Sequence, residues 1–110
     1  MEFIDTRFGL NAKVLVSFRQ YASRETRIDL IEADTHEPWG TATVSVAGAN
    51  LTPDLVAIKD YSENEGMANL LLAAKVIEGS PVATLQIGYT KAPVYRLSFE
   101  ALRLAAANAQ

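Results

Sequence analysis

Residues 56–67 read VAIKDYSENEGM, and the rest of the chain is arranged on either side of this stretch. It begins with an apolar run that is too short to show a period, and it passes into a dense run of polar residues, here called the polar knot (Asp60–Glu65). Before the stretch, apolar residues recur mainly at every second position, whereas after it they first recur at helical spacing. The stretch therefore separates a strand-rich front half from a back half that begins with a helix.

The front half is predicted to form strands. Val14, Val16 and Phe18 alternate with polar side chains, and a second alternating segment follows after a polar connection. Pro38 forces Glu37 out of the helical region, so a turn precedes a third segment that is rich in β-branched residues. Three such segments in succession predict an antiparallel meander. The predicted strands are residues 12–21, 27–33, 39–46 and 55–58, with a short strand over 3–8 that ends in a turn over 8–11.

The back half is predicted to start with a central helix. Ser62 and Glu65 have the spacing of a capping box, in which each side chain accepts a hydrogen bond from the backbone N–H of the other residue. The helix is therefore expected to run from about Glu63 to Lys75. Its buried face consists of apolar residues at helical spacing, namely Met67, Leu70, Leu71 and Ala74.

Two further strands and a second helix are predicted after the central helix. We expect a turn over 78–81, a strand over 82–88, a break at 91–93 and a strand over 94–97. Pro81 and Pro93 suit an edge strand or the first residue of a strand, because proline donates no backbone hydrogen bond. Ser98 is expected to cap a helix that ends at about Asn108. The apolar stripe of this helix is predicted to consist of Phe99, Leu102 and Ala106.

These elements predict an α+β fold in one domain. The 49% of hydrophobic residues, against 21% charged, is close to the average of globular proteins and suits one core. We expect a mainly antiparallel, twisted sheet of about five strands that starts with the meander, packed by one central helix and joined by a second, C-terminal helix. Residues 1–98 would form the domain, and residues 99–110 would be a helical extension of it.

Composition argues against several classes of function. The chain has no cysteine, which excludes disulfides, thiolate zinc sites and a cysteine nucleophile, and it has one histidine, His36. A net charge of −3 argues against binding that is driven by phosphate neutralisation. No apolar run is long enough to span a bilayer and the N-terminus is acidic, so we expect a cytoplasmic protein. We expect no cofactor, no bound metal and no catalytic residues.

The polar knot is the first candidate site, as a surface that binds a partner protein. Its acidic residues also have a purely structural explanation, because carboxylates in the first turn of a helix are stabilised by the helix dipole. A metal site is disfavoured, because the EF-hand spacing of ligands is missing. The candidate partner-binding residues are Asp60, Tyr61, Glu63, Asn64 and Glu65 of the knot, with Glu37 and Trp39 of the turn before the third strand.

Two residues of that turn have competing interpretations. His36 lies beside Asp34 and Glu37 and has the chemistry of a general base, but without an identifiable nucleophile it is more simply a turn residue. Trp39 is either an anchor in the core or an exposed binding residue, since tryptophan is enriched in both settings. Neither residue supports an enzymatic function by itself.

A second function remains open at the sequence level. Basic and aromatic residues alternate over Arg19, Tyr21, Arg24 and Arg27, as they would in a nucleic-acid-binding surface. The acidic residues that follow would offset these charges if the two segments pair in a hairpin. Nucleic acid is therefore the alternative partner, and a plain homodimer built through a sheet edge or the C-terminal helix is a third possibility.

Three segments together carry a resemblance to a known family: EPWGTATVSV at 37–46, VAIKDYSENEGM at 56–67 and PVYRL at 93–97. In these segments the chain resembles a family of small bacterial proteins, domains of unknown function that are often carried on plasmids, integrative elements and phages. The resemblance covers about residues 12–98. It implies a protein that binds and blocks or modulates host machinery, including defence complexes, and it assigns no catalytic residue.

Overall fold

The computed structural model describes residues 1–7, 9 and 11–108. Phe8 and Leu10 of the predicted N-terminal strand and turn, and residues 109–110 of the predicted C-terminal extension, lie outside the described residues. The elements in chain order are β1 (Glu2–Asp5), β2 (Ala12–Gln20), β3 (Thr26–Glu32), β4 (Pro38–Thr41), β5 (Leu55–Ala57), a 3-10 turn (Ser62–Asn64), α1 (Met67–Ala73), β6 (Ile77–Ile87), β7 (Thr90–Leu97) and α2 (Phe99–Ala107).

The first sheet confirms the predicted meander. Its strand order is β1-β2-β3-β4, all antiparallel, and the β2–β3 hairpin pairs Val16 with Leu30 and Phe18 with Ile28. Phe18, Ile28 and Leu30 are buried in the core, whereas the residues that alternate with them face outward or are only half-buried. The period of two in the sequence thus corresponds to one buried and one solvated face of this sheet.

The α+β class with mainly antiparallel strands is confirmed, although the strands are divided between two sheets instead of lying in one. The structure has two antiparallel sheets, of four and three strands, and the second has the order β5-β7-β6. The predicted strand 39–46 ends in the first sheet at Thr41, because the chain then changes partner: Val44 donates a backbone hydrogen bond to Ala57 of β5. A single bridge between Thr43 and Ile58 marks the crossing point.

The long hairpin of β6 and β7 replaces the predicted turn at 78–81 and the predicted break at 91–93. The register shifts between Glu78 and Ala83, so residues 79–82 bulge from β6 while the strand continues. Pro81 lies on an edge strand as predicted. Pro93, however, lies on the central strand, where it accepts a hydrogen bond from the Ile58 amide, just beyond the last residue of β5. Its missing N–H points to that same side, so little pairing is lost.

Two helices cover the sheets. α1 buries Met67, Ala68 and Leu71 in the main core and packs against β6. Ser98 caps α2 as predicted, accepting a hydrogen bond from the Ala101 amide at 3.2 Å, and α2 packs against both β2 and β7. The predicted stripe of α2 is wrong except for Leu102. Phe99 and Ala106 are exposed because the helix turns Ala101, Leu104 and Ala105 toward the core instead.

The predicted capping box of α1 is also wrong. The helix starts at Met67, four residues later than expected, and Ser62 has a φ of 54°, which is not the extended conformation of a capping residue. Glu65 lies before the helix. Asp60 supplies the cap from a distance, because its Oδ1 accepts hydrogen bonds from the amides of Gly66 at 2.8 Å and Ala68 at 3.4 Å.

This geometry predicts which residue stabilises the start of α1. Replacing Asp60 by alanine is expected to lower the free energy of unfolding by about 1–2 kcal/mol, the usual cost of a lost cap. Ser62→Ala is expected to change it by less than about 0.5 kcal/mol, because the hydroxyl caps nothing. Ser62→Gly should raise it by about 0.5 kcal/mol, since glycine enters the left-handed region without a Cβ penalty.

Urea denaturation of the three variants at neutral pH measures these differences. A loss in Ser62→Ala as large as that in Asp60→Ala would show that Ser62 is the true cap, and it would contradict the assignment made here.

Candidate functional site

The polar knot is anchored by two of its own residues. Asp60 holds the start of α1, as described above. Asn64 is buried, and its side-chain amide donates a hydrogen bond of 2.8 Å to the carbonyl oxygen of Thr41 at the end of β4. The knot is therefore attached to the helix on one side and to the first sheet on the other. Asp60 and Asn64, predicted as contact residues, have structural roles in this arrangement.

The remaining residues of the knot are directed toward solvent. Glu63 and Glu65 are exposed, Tyr61 is half-buried, and the Glu63 carboxylate forms an ion pair of 3.5 Å with Lys59. A hydrogen bond from a backbone amide and the nearby Lys59 ammonium hold the pKa of Glu63 below its usual value. The 3-10 turn and the residues on either side of it thus place two exposed carboxylates and a half-buried tyrosine around the left-handed residue Ser62.

Trp39 lies partly in the core and binds a buried carboxylate. Its indole Nε1 donates a hydrogen bond of 2.9 Å to Oδ2 of Asp5, which is only 1% exposed. Arg7 donates to the same carboxylate from Nη2 at 2.8 Å and from Nε at 3.0 Å. Burial alone would raise the pKa of Asp5, but the hydrogen bonds from Arg7 and Trp39 outweigh it and lower that pKa.

Asp5, Arg7 and Trp39, here called the Asp5 cluster, also lie beside the end of the polar knot. The side chain of Arg7 passes close to Gly66, since a Cβ atom built on that glycine would lie 3.5 Å from Arg7 Cδ. Trp39, Asp5 and Arg7 therefore connect β4 to the segment between the 3-10 turn and α1. Glu37, just before β4, is exposed. Of the two residues predicted on that turn, Glu37 is available for contacts, whereas Trp39 is held by the fold.

The alternative nucleic-acid residues lie on and beside the first hairpin. Arg19 and Arg27 are paired directly across β2 and β3. Asp29 lies between them, accepting from Arg27 Nε at 2.9 Å and lying 3.8 Å from Arg19 Nε. Arg27 also stands over the ring of Tyr21 at 5.7 Å from its centroid. The two guanidinium groups thus share the Asp29 carboxylate, and the face of the Tyr21 ring is already occupied by the Arg27 guanidinium.

Tyr21 and Arg24 complete the set of alternative nucleic-acid residues. The Tyr21 hydroxyl hydrogen-bonds Thr43 Oγ1 at 2.9 Å, and burial raises the pKa of this phenol. Arg24 is exposed in the hairpin turn with a φ of 73°. Arg19 and Arg27 both form ion pairs with Asp29, so the surface around them has mixed charge rather than being basic.

A shallow cleft on the outer face of the first sheet brings His36 close to this group. The cleft has a volume of about 380 Å³, and it is lined by Arg19, Arg27, Asp29, His36, Pro38 and Thr41 among others. Asp29 also accepts a hydrogen bond from Thr41 Oγ1 at 3.0 Å, so its carboxylate is engaged on several sides. His36 is exposed in its turn with a φ of 62°, in keeping with its interpretation as a turn residue.

Two buried carboxylates have roles that the sequence does not predict: Asp5 at the end of β1 and Glu25 in the connection between β2 and β3. The Glu25 carboxylate accepts hydrogen bonds from the Leu51 amide at 2.7 Å and the Ser23 hydroxyl at 3.1 Å, which fastens the loop before β5 to the first hairpin. The sequence gives no local signal for these long-range contacts, because the Leu51 amide lies 26 residues from Glu25 and the Trp39 indole lies 34 residues from Asp5.

The described residues include neither a metal-binding cluster nor a helix that could span a membrane. Residues 1–7, 9 and 11–108 contain no group of three or more His, Asp or Glu side chains arranged to hold a metal ion. In the same part of the chain, neither helix combines the length and the apolar character needed to cross a membrane.

The Asp5 cluster generates a prediction that depends on pH. Trp39→Phe removes the indole donor and keeps most of the apolar surface. We expect this change to lower the free energy of unfolding by about 1.5–3 kcal/mol at pH 7, the range for a hydrogen bond to a charged group. Because the pKa of Asp5 is lower in the folded chain than in the unfolded one, its carboxylate stabilises the fold above the unfolded pKa of about 3.9. This contribution is lost as the pH falls through the pKa of Asp5 in the folded chain. The difference from the unmodified chain should therefore shrink only below about pH 4.

Urea denaturation from pH 7 to about pH 3 measures this difference, and Asp5→Asn provides the control. In the Asp5→Asn background, Trp39→Phe should cost only about 0.5–1.5 kcal/mol, because the acceptor is neutral. An equal cost at every pH, and in both backgrounds, would assign the effect to lost packing instead of to the charged hydrogen bond.

The chain was compared with models of protein families, with curated proteins and with solved structures, and none of the three comparisons found a match.

Proposed function

We propose that the chain is a protein-binding module without enzymatic activity, and that it contacts its partner through Tyr61, Glu63 and Glu65 of the polar knot together with Glu37. The observation that carries this proposal is the conformation of the 3-10 turn. Ser62 is held at a φ of 54° in the middle of the displayed residues. A residue with a Cβ atom pays for this conformation, which persists only where the surroundings impose it.

The surroundings do impose it. Asp60 binds the Gly66 amide after the turn, and Asn64 inside the turn binds the Thr41 carbonyl of β4. The turn is thereby fixed at both ends, so the backbone that carries the exposed residues Glu63 and Glu65 has little freedom. Pre-ordering of this kind lowers the entropy cost of binding, because fewer backbone states are lost when the partner docks.

The displayed charges indicate the chemistry of the partner surface. Glu63 and Glu65 are exposed acids and Glu37 adds a third; Glu63 forms an ion pair with Lys59 at 3.5 Å. A basic patch on the partner would complement these acids, with Tyr61 supplying apolar area at the centre. Such a contact associates more slowly as salt is added, because the attraction between exposed charges is screened.

The proposed class of partner is supported by the resemblance described above to small proteins carried on mobile elements. Small acidic proteins on mobile elements often act by binding and blocking host machinery. The proposed partner is therefore a host protein or a host defence complex, and the proposed effect is to block or modulate it.

The test is a comparison of two charge-reversed variants with the same number of changes. Glu63→Lys/Glu65→Lys is expected to reduce affinity for the partner at least tenfold, while Glu78→Lys/Glu100→Lys, which reverses two exposed acids far from the knot in sequence, leaves it nearly unchanged. The partner is first isolated from a nuclease-treated host lysate by affinity capture, and binding is then measured with purified components at two salt concentrations.

Melting temperatures separate binding from folding. Both variants are expected to melt within a few degrees of the unmodified chain, since exposed charges contribute little to stability. The proposal is wrong if the purified partner binds both variants equally well. It is also wrong if the knot variant loses affinity only because it unfolds, in which case the acids serve the fold alone.

A further inference from the structure

The outer edge of β6 has no strand beside it in the described part of the chain. β6 spans Ile77–Ile87 and ends the three-stranded sheet, because its one partner is β7. Eight of its eleven residues are exposed. Val82 is 47% exposed, and Tyr89 at the tip of the hairpin is fully exposed. This is the longest strand among the described residues, and on the side opposite β7 it pairs with no strand there.

The hairpin geometry shows which backbone groups lie along that free edge. Ile87 pairs with Thr90 across the two-residue turn Gly88–Tyr89, and the pair that closes such a turn is hydrogen-bonded. Hydrogen-bonded pairs alternate with open ones, so Leu85 and Ala83 also bond to β7. Thr84 and Gln86 therefore direct their N–H and C=O groups away from β7, toward the free edge.

The edge is unguarded where these groups lie. Proteins usually protect sheet edges with charges, prolines, bulges or short strands. The other outer strands follow this rule: β1 has four residues with an acid at each end, β4 has four and starts with Pro38, and β5 has three. In β6, Glu78 and the bulge over 79–82 protect the first half. Residues 83–87 read ATLQI and contain no charge, no proline and no bulge.

This segment is complementary to itself. If two copies are placed antiparallel about Leu85, that residue faces its own equivalent, Thr84 faces Gln86 of the second copy, and Ala83 faces Ile87 of the second copy. Apolar side chains then meet apolar ones and polar side chains meet polar ones. The outward groups of Thr84 and Gln86 become hydrogen-bonded pairs, which is what the free edge requires.

We propose that a second copy of this chain binds at the free edge of β6, joining the two three-stranded sheets into one continuous six-stranded sheet. The interface is isologous, with its two-fold axis at Leu85. Leu85 and Ile87 are half-buried against the small cluster of Ala57, Ala92 and Val94, so pairing extends two small apolar clusters into one layer. The proposal goes beyond the function proposed above and uses a different strand from the one that leads into the polar knot.

The strength of the contact follows from its size. Two five-residue segments are far smaller than the roughly 20 to 30 residues a side of a standard interface. We therefore expect a dimer that dissociates in the micromolar range or above. Sedimentation velocity from about 10 µM to about 1 mM covers the transition. A chain that stays monomeric up to about 1 mM overturns the proposal.

Charges placed on the edge test both the location and the register. Thr84→Lys/Gln86→Lys brings like charges face to face in the dimer, and so does Thr84→Glu/Gln86→Glu; each is expected to be monomeric, because like charges opposite each other repel. Both positions are exposed, so both variants should remain folded. An equimolar mixture should dimerise again, because every lysine then faces a glutamate. Dimers that persist in the lysine variant, or a mixture that stays monomeric, overturn the proposed pairing.

Single cysteines give an independent measure of the register, since the chain has none of its own. Leu85 would face its equivalent in an open antiparallel pair with Cα atoms about 4.5 Å apart, within disulfide range. Leu85→Cys should therefore form a covalent dimer rapidly on mild oxidation. In Thr84→Cys the two cysteines are offset by two residues and lie beyond about 7 Å, so linking should be at least tenfold slower. Equal rates overturn the register about Leu85. The partner-binding test of Glu63 and Glu65 is read separately, so either result can fail without the other.

Discussion

Thr43 is the residue on which the arrangement of the two sheets depends. It is buried and forms the bridge to Ile58 of the segment after β5. Its hydroxyl accepts a hydrogen bond from the Ile28 amide of β3 at 3.2 Å and shares another with the Tyr21 hydroxyl at 2.9 Å. One side chain and its backbone thus connect the first hairpin, the strand that leaves the first sheet and the strand that enters the second. A buried polar group with all these partners costs little to bury and specifies one packing of the sheets.

The polar knot inherits its position from this crossing. Lys59 follows Ile58, and its amide donates to the carbonyl of Ala42, next to Thr43. The chain therefore reaches Asp60 already fixed against the first sheet, and Asn64 fixes it again at Thr41. The proposed contact surface and the free edge of β6 lie on parts of the fold with opposite character. One is a turn held on both sides, and the other is a strand held on one side only.

The sequence predicted local elements well and long-range pairings poorly. The alternation around Val14 and Phe18 identified the first hairpin because the burial of a strand face acts residue by residue. The same alternation continues through Val44, yet there the strand partner changes, and nothing local records which sheet receives it. Ser62 and Glu65 match a capping box in sequence, but the Gly66 amide before the helix donates its hydrogen bond to Asp60 and the box does not form.

The site residues divide in the same way. The exposure of Glu63 and Glu65 follows from their type and could be predicted. The structural role of Trp39 could not be specified, because its acceptor Asp5 lies 34 residues earlier in the chain. The free edge left one trace in the sequence, the uncharged segment at 83–87, but its meaning depends on β7 being central, which is a property of the assembled sheet.

The pairing of β5 with β7 also bears on how the chain reaches its native state. β2 with β3 and β6 with β7 are hairpins of neighbouring segments, whereas Val56 must find Tyr95 across the whole of α1 and the second hairpin. Closing so long a loop costs more entropy than closing a hairpin, and its cost is recovered only when the pairing forms. α2 packs on one strand from each hairpin, so its docking surface exists only once both are joined. Folding of this chain should thus be paced by the meeting of two preformed hairpins, with the C-terminal helix completing the structure last.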